Sequence, residues 1–170
     1  MILVGIGSNL AATGFASPQE TARAAVGQLP TIGARVVRCS RWYLSEPVPP
    51  SDQPWYVNAV GLVETRLTPA ALLSALLVLE ARFGRRRGVP NAARTLDLDL
   101  LDYDGRRSAT RRLVLPHPRL HERRFVLAPL AEIAPHWRHP LLRLTARELL
   151  VRLPPGQPIR AIDEQGTPQR

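Results

Sequence analysis

The chain has 170 residues, 45% hydrophobic and 22% charged, enough apolar mass for one compact domain with its own core and no need for two. Its formal net charge is +9, but all 23 basic residues are arginine, so the charge follows a composition bias and implies no nucleic-acid partner by itself. The single cysteine, Cys39, excludes an internal disulfide, no Cys/His spacing suits zinc, and the longest apolar stretch (70–79) is far short of the ~20 residues that span a bilayer.

In chain order, residues 2–6 read as a short buried strand closed by Gly7 and Asn9. Ser17 and Glu20 form a capping box with Pro18 in the first turn of a helix; Ala22, Ala25, Val26 and Leu29 share a face, and Pro30 and Gly33 stop it. Residues 35–43 read as one strand, with Val37, Cys39 and Arg41 on one face. The run 46–54 carries too much proline for helix or strand and reads as a loop; strand character resumes over 56–64. Thr68 and Pro69 start a second helix whose core stripe is Leu72, Leu73, Leu76, Leu79 and Phe83, ending at Gly84. A strand over 96–103 runs into Asp104-Gly105, a hairpin signal whose partner strand is expected over 112–115.

Residues 122–133 read as a helix that Pro129 kinks or breaks, and Thr145 with Glu148 caps a last helix reaching Leu153. Beyond Pro154 a tail rich in Pro, Gly and Gln is expected to be poorly ordered, which makes 1–154 the domain and 155–170 its tail. Strands and helices intermingle around a hairpin, so the class is α+β with a mostly antiparallel sheet. The N-terminus has no basic n-region or cleavage site, and with one cysteine the expectation is a soluble, cytoplasmic protein.

The stretch Arg94-Thr95-Leu96-Asp97-Leu98-Asp99-Leu100-Leu101 sets two carboxylates two residues apart in an apolar run. Strand side chains alternate faces, so Asp97 and Asp99 point the same way, roughly 6 to 7 Å apart at Cα, with Leu96, Leu98 and Leu100 opposite. Two readings compete: a solvated strand face, or a site where a cation such as Mg²⁺ relieves the repulsion and assists chemistry on a phosphate. Arginines crowd the neighbourhood, with Arg85, Arg86, Arg87 and Arg94 before the pair and Arg119, Arg123 and Arg124 after His117. Arginine's planar fork suits phosphate oxygens, although solvated loop arginines would look the same.

These residues carry a resemblance. The chain resembles the 6-hydroxymethyl-7,8-dihydropterin pyrophosphokinase family of folate biosynthesis, collinearly from Ile6-Gly7-Ser8-Asn9-Leu10 through Asp52-Gln53-Pro54-Trp55-Tyr56-Val57-Asn58-Ala59, Arg94-Thr95-Leu96-Asp97-Leu98-Asp99 and Leu115-Pro116-His117-Pro118 to Pro129-Leu130-Ala131-Glu132-Ile133-Ala134-Pro135. The resemblance implies a single-domain, three-layer α-β-α fold with a ferredoxin-like central sheet. It implies transfer of a diphosphoryl group from ATP to a pterin alcohol, with AMP leaving. Asp97 and Asp99 would hold two Mg²⁺ ions, and Arg94, His117 and Arg123 would serve the triphosphate; these five are the candidate catalytic residues.

The wider ATP set implied by the resemblance adds Glu80, Arg85, Arg87, Leu100, Arg112 and Leu113. Tyr56 and Phe125 would sandwich the pterin ring, Asn58 and Ser45 would meet its polar edge, and Pro47 and Val48 would offer backbone contacts. Small-molecule substrates acting on a monomer are the expected partners, with no nucleic acid and no membrane. Two departures stand out: the loop before Arg94 lacks a family tryptophan and Gly-Pro pair and is one residue shorter, and Glu46 replaces a common proline. A nucleotidyltransferase reading of Gly7-Ser8 with Asp-x-Asp is disfavoured because the two elements lie most of a domain apart. A nucleic-acid module is disfavoured by the absence of a binding signature and by 5% aromatic content.

Overall fold

A computed structural model describes residues 1–85, 92–163 and 166–168. The sheet is built around β1 (Ile2–Ser8), buried along its whole length, with antiparallel neighbours on both sides: β4 (Tyr56–Thr65) and β5 (Asp97–Tyr103). The ten residues of β4 are long enough for two partners on its far edge, β2 (Ala34–Cys39) along its second half and β3 (Trp42–Ser45) along its first. A last strand, β8 (Ile159–Ile162), pairs with β3. The order is β5-β1-β4-β3-β8 with β2 beside β4, and each of these pairings is antiparallel.

Helices cover both faces. On one side α1 (Pro18–Gln28) and α2 (Pro69–Arg82) pack Ala22, Ala25, Leu72, Leu76 and Leu79 against Val4, Ile6, Leu98 and Leu100. On the other, α3 (Arg124–Ile133) and α4 (Ala146–Arg152) pack Leu127, Leu130 and Leu149 against Leu3, Val60 and Leu101. The alternation of β5 therefore serves two cores at once, with Leu98 and Leu100 facing α1 and α2 while Leu101 faces α3. With β1-α1-β2/β3-β4-α2-β5 as its frame, the chain is a three-layer, ferredoxin-like α+β fold.

Capping explains the helix starts. Ser17 and Thr68 accept from the amides of Glu20 and Ala71, each followed by proline in the first turn. The Thr145–Glu148 box closes reciprocally, whereas the Glu20 carboxylate reaches past Ser17 to the Ala16 amide at 2.9 Å.

Five expectations need correction. Residues 35–43 are not one strand: at the jog between β2 and β3 the Ser40 hydroxyl accepts from the Val60 amide at 3.0 Å, replacing a ladder bond. The Asp104-Gly105 turn forms, with φ of 52° and 66°, but 112–115 does not pair with β5. Instead β7 (Val114–Leu115) pairs with β6 (Ser108–Ala109) as a separate two-stranded sheet. Pro129 lies inside α3 without breaking it, and that helix begins at Arg124 after a 3-10 turn, Leu120–Glu122. The tail is not wholly unordered, because Ile162 is 3% exposed and joins the α1–α2 core as part of β8. Finally, Leu100 has its side chain in that same core and not in the site described next. Among the described residues no helix is long and apolar enough to cross a membrane.

Candidate active site

Strand register lays one row of groups across the sheet. Asp97 on β5 stands opposite Gly7 on β1, and Gly7 stands opposite Asn58 on β4. A Cβ at Gly7 would lie 3.4 Å from Asn58 Oδ1 and 3.7 Å from Asp97 Cβ, so glycine keeps the floor open between carboxylate and amide. Asp99 stands opposite Gly5 on the same face of β5.

The acidic pair is dressed in arginine. Arg85 Nη1 bridges Glu80 Oε1 and Asp97 Oδ1, and Arg94 Nη1 donates to the other Asp97 oxygen at 3.1 Å. Arg123 Nη1 donates to Asp99 Oδ2 at 3.3 Å, and His117 Nε2 lies 3.8 Å from that oxygen. The three carboxylates, Glu80, Asp97 and Asp99, are thus matched by three guanidiniums, Arg85, Arg94 and Arg123. Glu80 is 2% exposed and also accepts from the Leu98 amide at 2.7 Å, which fixes α2 to the start of β5.

Burial and the neighbouring Asp97 charge push the Asp99 carboxyl above its ordinary value, against the opposing pull of His117, Arg123 and Arg85. Burial likewise holds His117 below the usual imidazole range, although Asp99 works to raise it. Its Nδ1 accepts from the Arg119 amide at 3.2 Å, which leaves the proton of the neutral ring on Nε2, toward Asp99. Arg85 is held charged above its ordinary value by Asp97 and Glu80 in spite of the burial that opposes it.

Beyond the charges lies a cleft. Ser45, Glu46, Val48, Tyr56, Asn58 and Phe125 line it together with Gly7, Arg94, Asp97 and Arg123. Asn58 is buried, and its Nδ2 donates to Ser45 Oγ at 2.9 Å and to the Tyr56 carbonyl at 3.3 Å, leaving Oδ1 beside Gly7. The Arg123 guanidinium lies 5.5 Å from the Phe125 ring centroid, joining the aromatic wall to the acidic pair. Pro47 is buried between the two lining residues Glu46 and Val48.

Not every candidate converges here. Among the described residues Arg112 and Leu113 stand at the β6–β7 turn, Arg112 exposed and Leu113 packed against the α1–α2 core. Arg86 and Arg87 lie outside the described residues. Conversely, the candidate set omitted Gly7 and Asn9. Asn9 is 1% exposed; its Oδ1 accepts from the Arg94 amide at 2.7 Å, its amide donates to the Arg94 carbonyl at 3.1 Å, and its Nδ2 donates to the Pro54 carbonyl at 3.1 Å. It therefore ties the segment bearing Arg94 to the loop before Tyr56. The sequence signal was a buried amide just after a strand, adjoining two glycines spaced two apart on one face of β1.

A paired carboxylate ringed by guanidiniums and opening on an aromatic, amide-floored cleft defines a class, that of phosphate-transferring enzymes acting on a flat polar substrate. Similarity to known proteins narrows the class. The family model for 7,8-dihydro-6-hydroxymethylpterin-pyrophosphokinase matches residues 3–135, and the chain belongs to that family. It is 40% identical over 149 residues to a 2-amino-4-hydroxy-6-hydroxymethyldihydropteridine pyrophosphokinase of Synechocystis sp., covering 87% of this chain and 73% of the relative. A protein of the same name from Pseudomonas aeruginosa is 40% identical over 140 residues, covering 82% of this chain and 83% of the relative. The fold is similar to a crystal structure of Plasmodium falciparum HPPK-DHPS, with a TM-score of 0.67 and 11% identity over 88% of this chain; the match spans only 43% of that longer protein.

Proposed function

We propose that the protein transfers the diphosphoryl group of ATP to the hydroxymethyl oxygen of 6-hydroxymethyl-7,8-dihydropterin, giving AMP and the pterin diphosphate, a step of folate biosynthesis. The observation that carries this reading is the row Asp97–Gly7–Asn58, which sets the arginine-ringed carboxylates beside an amide flanked by Tyr56 and Phe125. A pterin edge both donates and accepts, as a carboxamide does, and its flat ring suits aromatic walls. Ser45 orients the amide, and the loop around Pro47 and Val48 borders the same space.

On the phosphate side, Arg94, Arg123 and His117 are positioned to receive oxygens of a triphosphate, with Glu80 and Arg85 at its border. Leu113 and Arg112 would serve the nucleoside from the β6–β7 turn. The hydroxymethyl oxygen forms its bond to the β-phosphorus as the bond from that phosphorus to the α-phosphate oxygen breaks; AMP departs with the electron pair and the hydroxyl proton is released. The residues act by positioning and by charge, with no covalent enzyme intermediate.

The donor set fits magnesium. Two carboxylates on one strand face offer hard oxygen ligands, and Mg²⁺ characteristically takes one or two carboxylates together with substrate phosphates and water. Among the described residues no group of three or more His, Cys, Asp and Glu is arranged to hold a metal alone. Asp97 and Asp99 would therefore hold the ions jointly with the nucleotide. When bound, magnesium neutralises charge on the phosphate oxygens. The same reading takes the protein as a cytoplasmic monomer that binds neither nucleic acid nor membrane.

The test is incubation with 6-hydroxymethyl-7,8-dihydropterin, ATP and Mg²⁺, separating nucleotides and pterins. AMP appearing one-for-one with the pterin diphosphate supports the reading, as does loss of transfer in a folded Asp97→Ala protein. ADP as product, or near-normal turnover by that variant, would overturn it.

A further inference from the structure

Val48 is shared by two cavities. One is the substrate cleft, and the other, of about 510 Å³, opens between the 3-10 turn Leu120–Glu122, the C-terminal end of α4 and the segment joining α3 to α4. Its size falls in the range of small-molecule sites. Leu142, Leu144, Leu149 and Leu153 give it an apolar wall, and Leu142 is 45% exposed.

Arg119, Arg152 and His121 supply the polar side. One carboxylate, Glu122, also lines it, and Arg119 Nε and His121 Nε2 each lie 3.7 Å from its oxygens. Among the described residues, two guanidiniums stand against one carboxylate and leave the cavity cationic. A further observation concerns the imidazoles: His121 Nδ1 is buried without a hydrogen-bond partner among the described residues, and so is Nε2 of His139, whose ring meets that of His121 edge-on at 5.5 Å. Both atoms are sealed from solvent and His139 does not line the cavity, so recognition of a polar group there rests on Arg119 and Arg152.

The cavity also touches the catalytic chain. Gln157 lines it and holds both flanks of Arg123, donating to the Glu122 carbonyl at 2.8 Å and accepting from the Arg124 amide at 2.7 Å. Arg123 in turn reaches Asp99.

We propose that this cavity is a second ligand site, for a small apolar molecule carrying one anionic head, and that its occupancy is felt in the substrate cleft through Val48 and Arg123. The leucines bury the body and Arg119 and Arg152 take the head. The binding claim goes beyond the pyrophosphokinase reading; the coupling claim rests on it, because the affected ligand is the pterin.

The test uses 1-anilinonaphthalene-8-sulfonate, an apolar aromatic anion, titrated into ¹⁵N-labelled protein. Amide shifts are expected at Val48, Leu142 and Arg152. Leu142→Glu and Arg152→Glu alter exposed side chains, leave the fold intact, and are expected to weaken the probe about fivefold or more. The uncharged N-phenyl-1-naphthylamine is expected to bind wild type about fivefold more weakly than the sulfonate. Saturating sulfonate should change the pterin dissociation constant at least about threefold in wild type, and the sulfonate concentration giving half of that change should rise about fivefold or more in Leu142→Glu. Equal probe affinity in wild type and both variants, equal affinity for the uncharged probe, or shifts confined to Tyr56 and Asn58 with one-for-one displacement by pterin would overturn the site. An unmoved pterin constant would overturn the coupling. Should pterin fail to bind even with Mg²⁺ and a non-hydrolysable ATP analogue present, the pyrophosphokinase reading falls, while shifts at Val48 and Leu142 still support the site.

Discussion

Arg85 lies against Asp97 Oδ1 while Arg94 holds Oδ2 of the same carboxylate, so both oxygens of the residue best placed to receive a metal are taken by guanidiniums. Arg85 is only 15% exposed at its side chain and shares its Nη1 with the buried Glu80. Among the described residues, charge balance therefore holds without a bound cation. Among the described residues no further anion stands ready to receive an arginine displaced by a divalent ion arriving alone, whereas an ion arriving with a triphosphate brings that anion along. On the proposed reading, metal and nucleotide binding would thereby be coupled through Arg85.

Arg85→Gln separates these effects. Removing the competing guanidinium is expected to tighten nucleotide-free Mn²⁺ binding about tenfold, read by electron paramagnetic resonance of the free ion. Transfer is expected to slow about 10²-fold, because a phosphate-side donor is lost. Unchanged Mn²⁺ affinity in the folded variant would count against Arg85 as the internal counter-ion.

Asp99 carries a pH signature. Burial and Asp97 raise its folded-state value above the 3.8 of a free carboxyl, so the folded protein binds the proton more tightly than the unfolded chain. Its contribution to stability is then complete below the ordinary carboxylate range and is lost as pH rises through the raised value. Asp99→Asn removes that loss. The variant is expected to melt a few degrees higher than wild type at neutral pH, with the gain shrinking as pH falls toward 4. His117 has the opposite sign, since its lowered value costs stability as pH falls through the imidazole range, and because Asp99 works to raise it, Asp99→Asn deepens that cost and shrinks the gain further as pH falls. A gain that stays constant from pH 4 to 8 would argue against a perturbed Asp99.

How much of this was legible in the sequence depended on whether the signal was local. The period-two alternation of β5 assigned Leu96, Leu98 and Leu100 to one layer and the carboxylates to the other, and the structure has the leucines in the α1–α2 core. Capping residues marked three helix starts because a cap is a contact within four residues. The same alternation should have kept Leu100 out of the site, since an even-numbered leucine of β5 faces away from Asp99. Pairings across the chain were not legible. Residues 159–162 carry a strand only because the β3 edge is there to pair with, and the Asp104-Gly105 signal fixed a turn without fixing its partner.

Ile162 tests the ordered tail. Its side chain is 3% exposed and it stands opposite Trp42 across the β3–β8 pairing, within the α1–α2 core. Ile162→Ala is expected to cost about 2–4 kcal/mol of unfolding free energy, as for buried aliphatic truncations elsewhere. Denaturant unfolding measures it; a change below about 0.5 kcal/mol, typical of surface substitutions, would return the segment to a dispensable tail.

Asn9 tests whether the two substrate-facing segments are set by one residue. Its Oδ1 receives the Arg94 amide and its Nδ2 reaches the Pro54 carbonyl, so one carboxamide fixes an arginine on the phosphate side and the loop that leads to Tyr56 on the ring side. Asn9→Ala leaves those partners unsatisfied in a buried place, at about 1–3 kcal/mol of stability. A purely structural role would lower the melting temperature and leave the kinetics of the remaining folded protein intact. Positioning predicts more. Transfer at saturating substrate should fall about 10²-fold because Arg94 is displaced, and the pterin KM should rise because the loop before Tyr56 loosens. Asn9→Asp keeps the acceptor for the Arg94 amide and loses the donor to Pro54. It is therefore expected to retain more of kcat than the alanine variant while sharing its raised pterin KM. Equal kcat in the two variants, or an unchanged KM in both, would assign Asn9 to the fold alone.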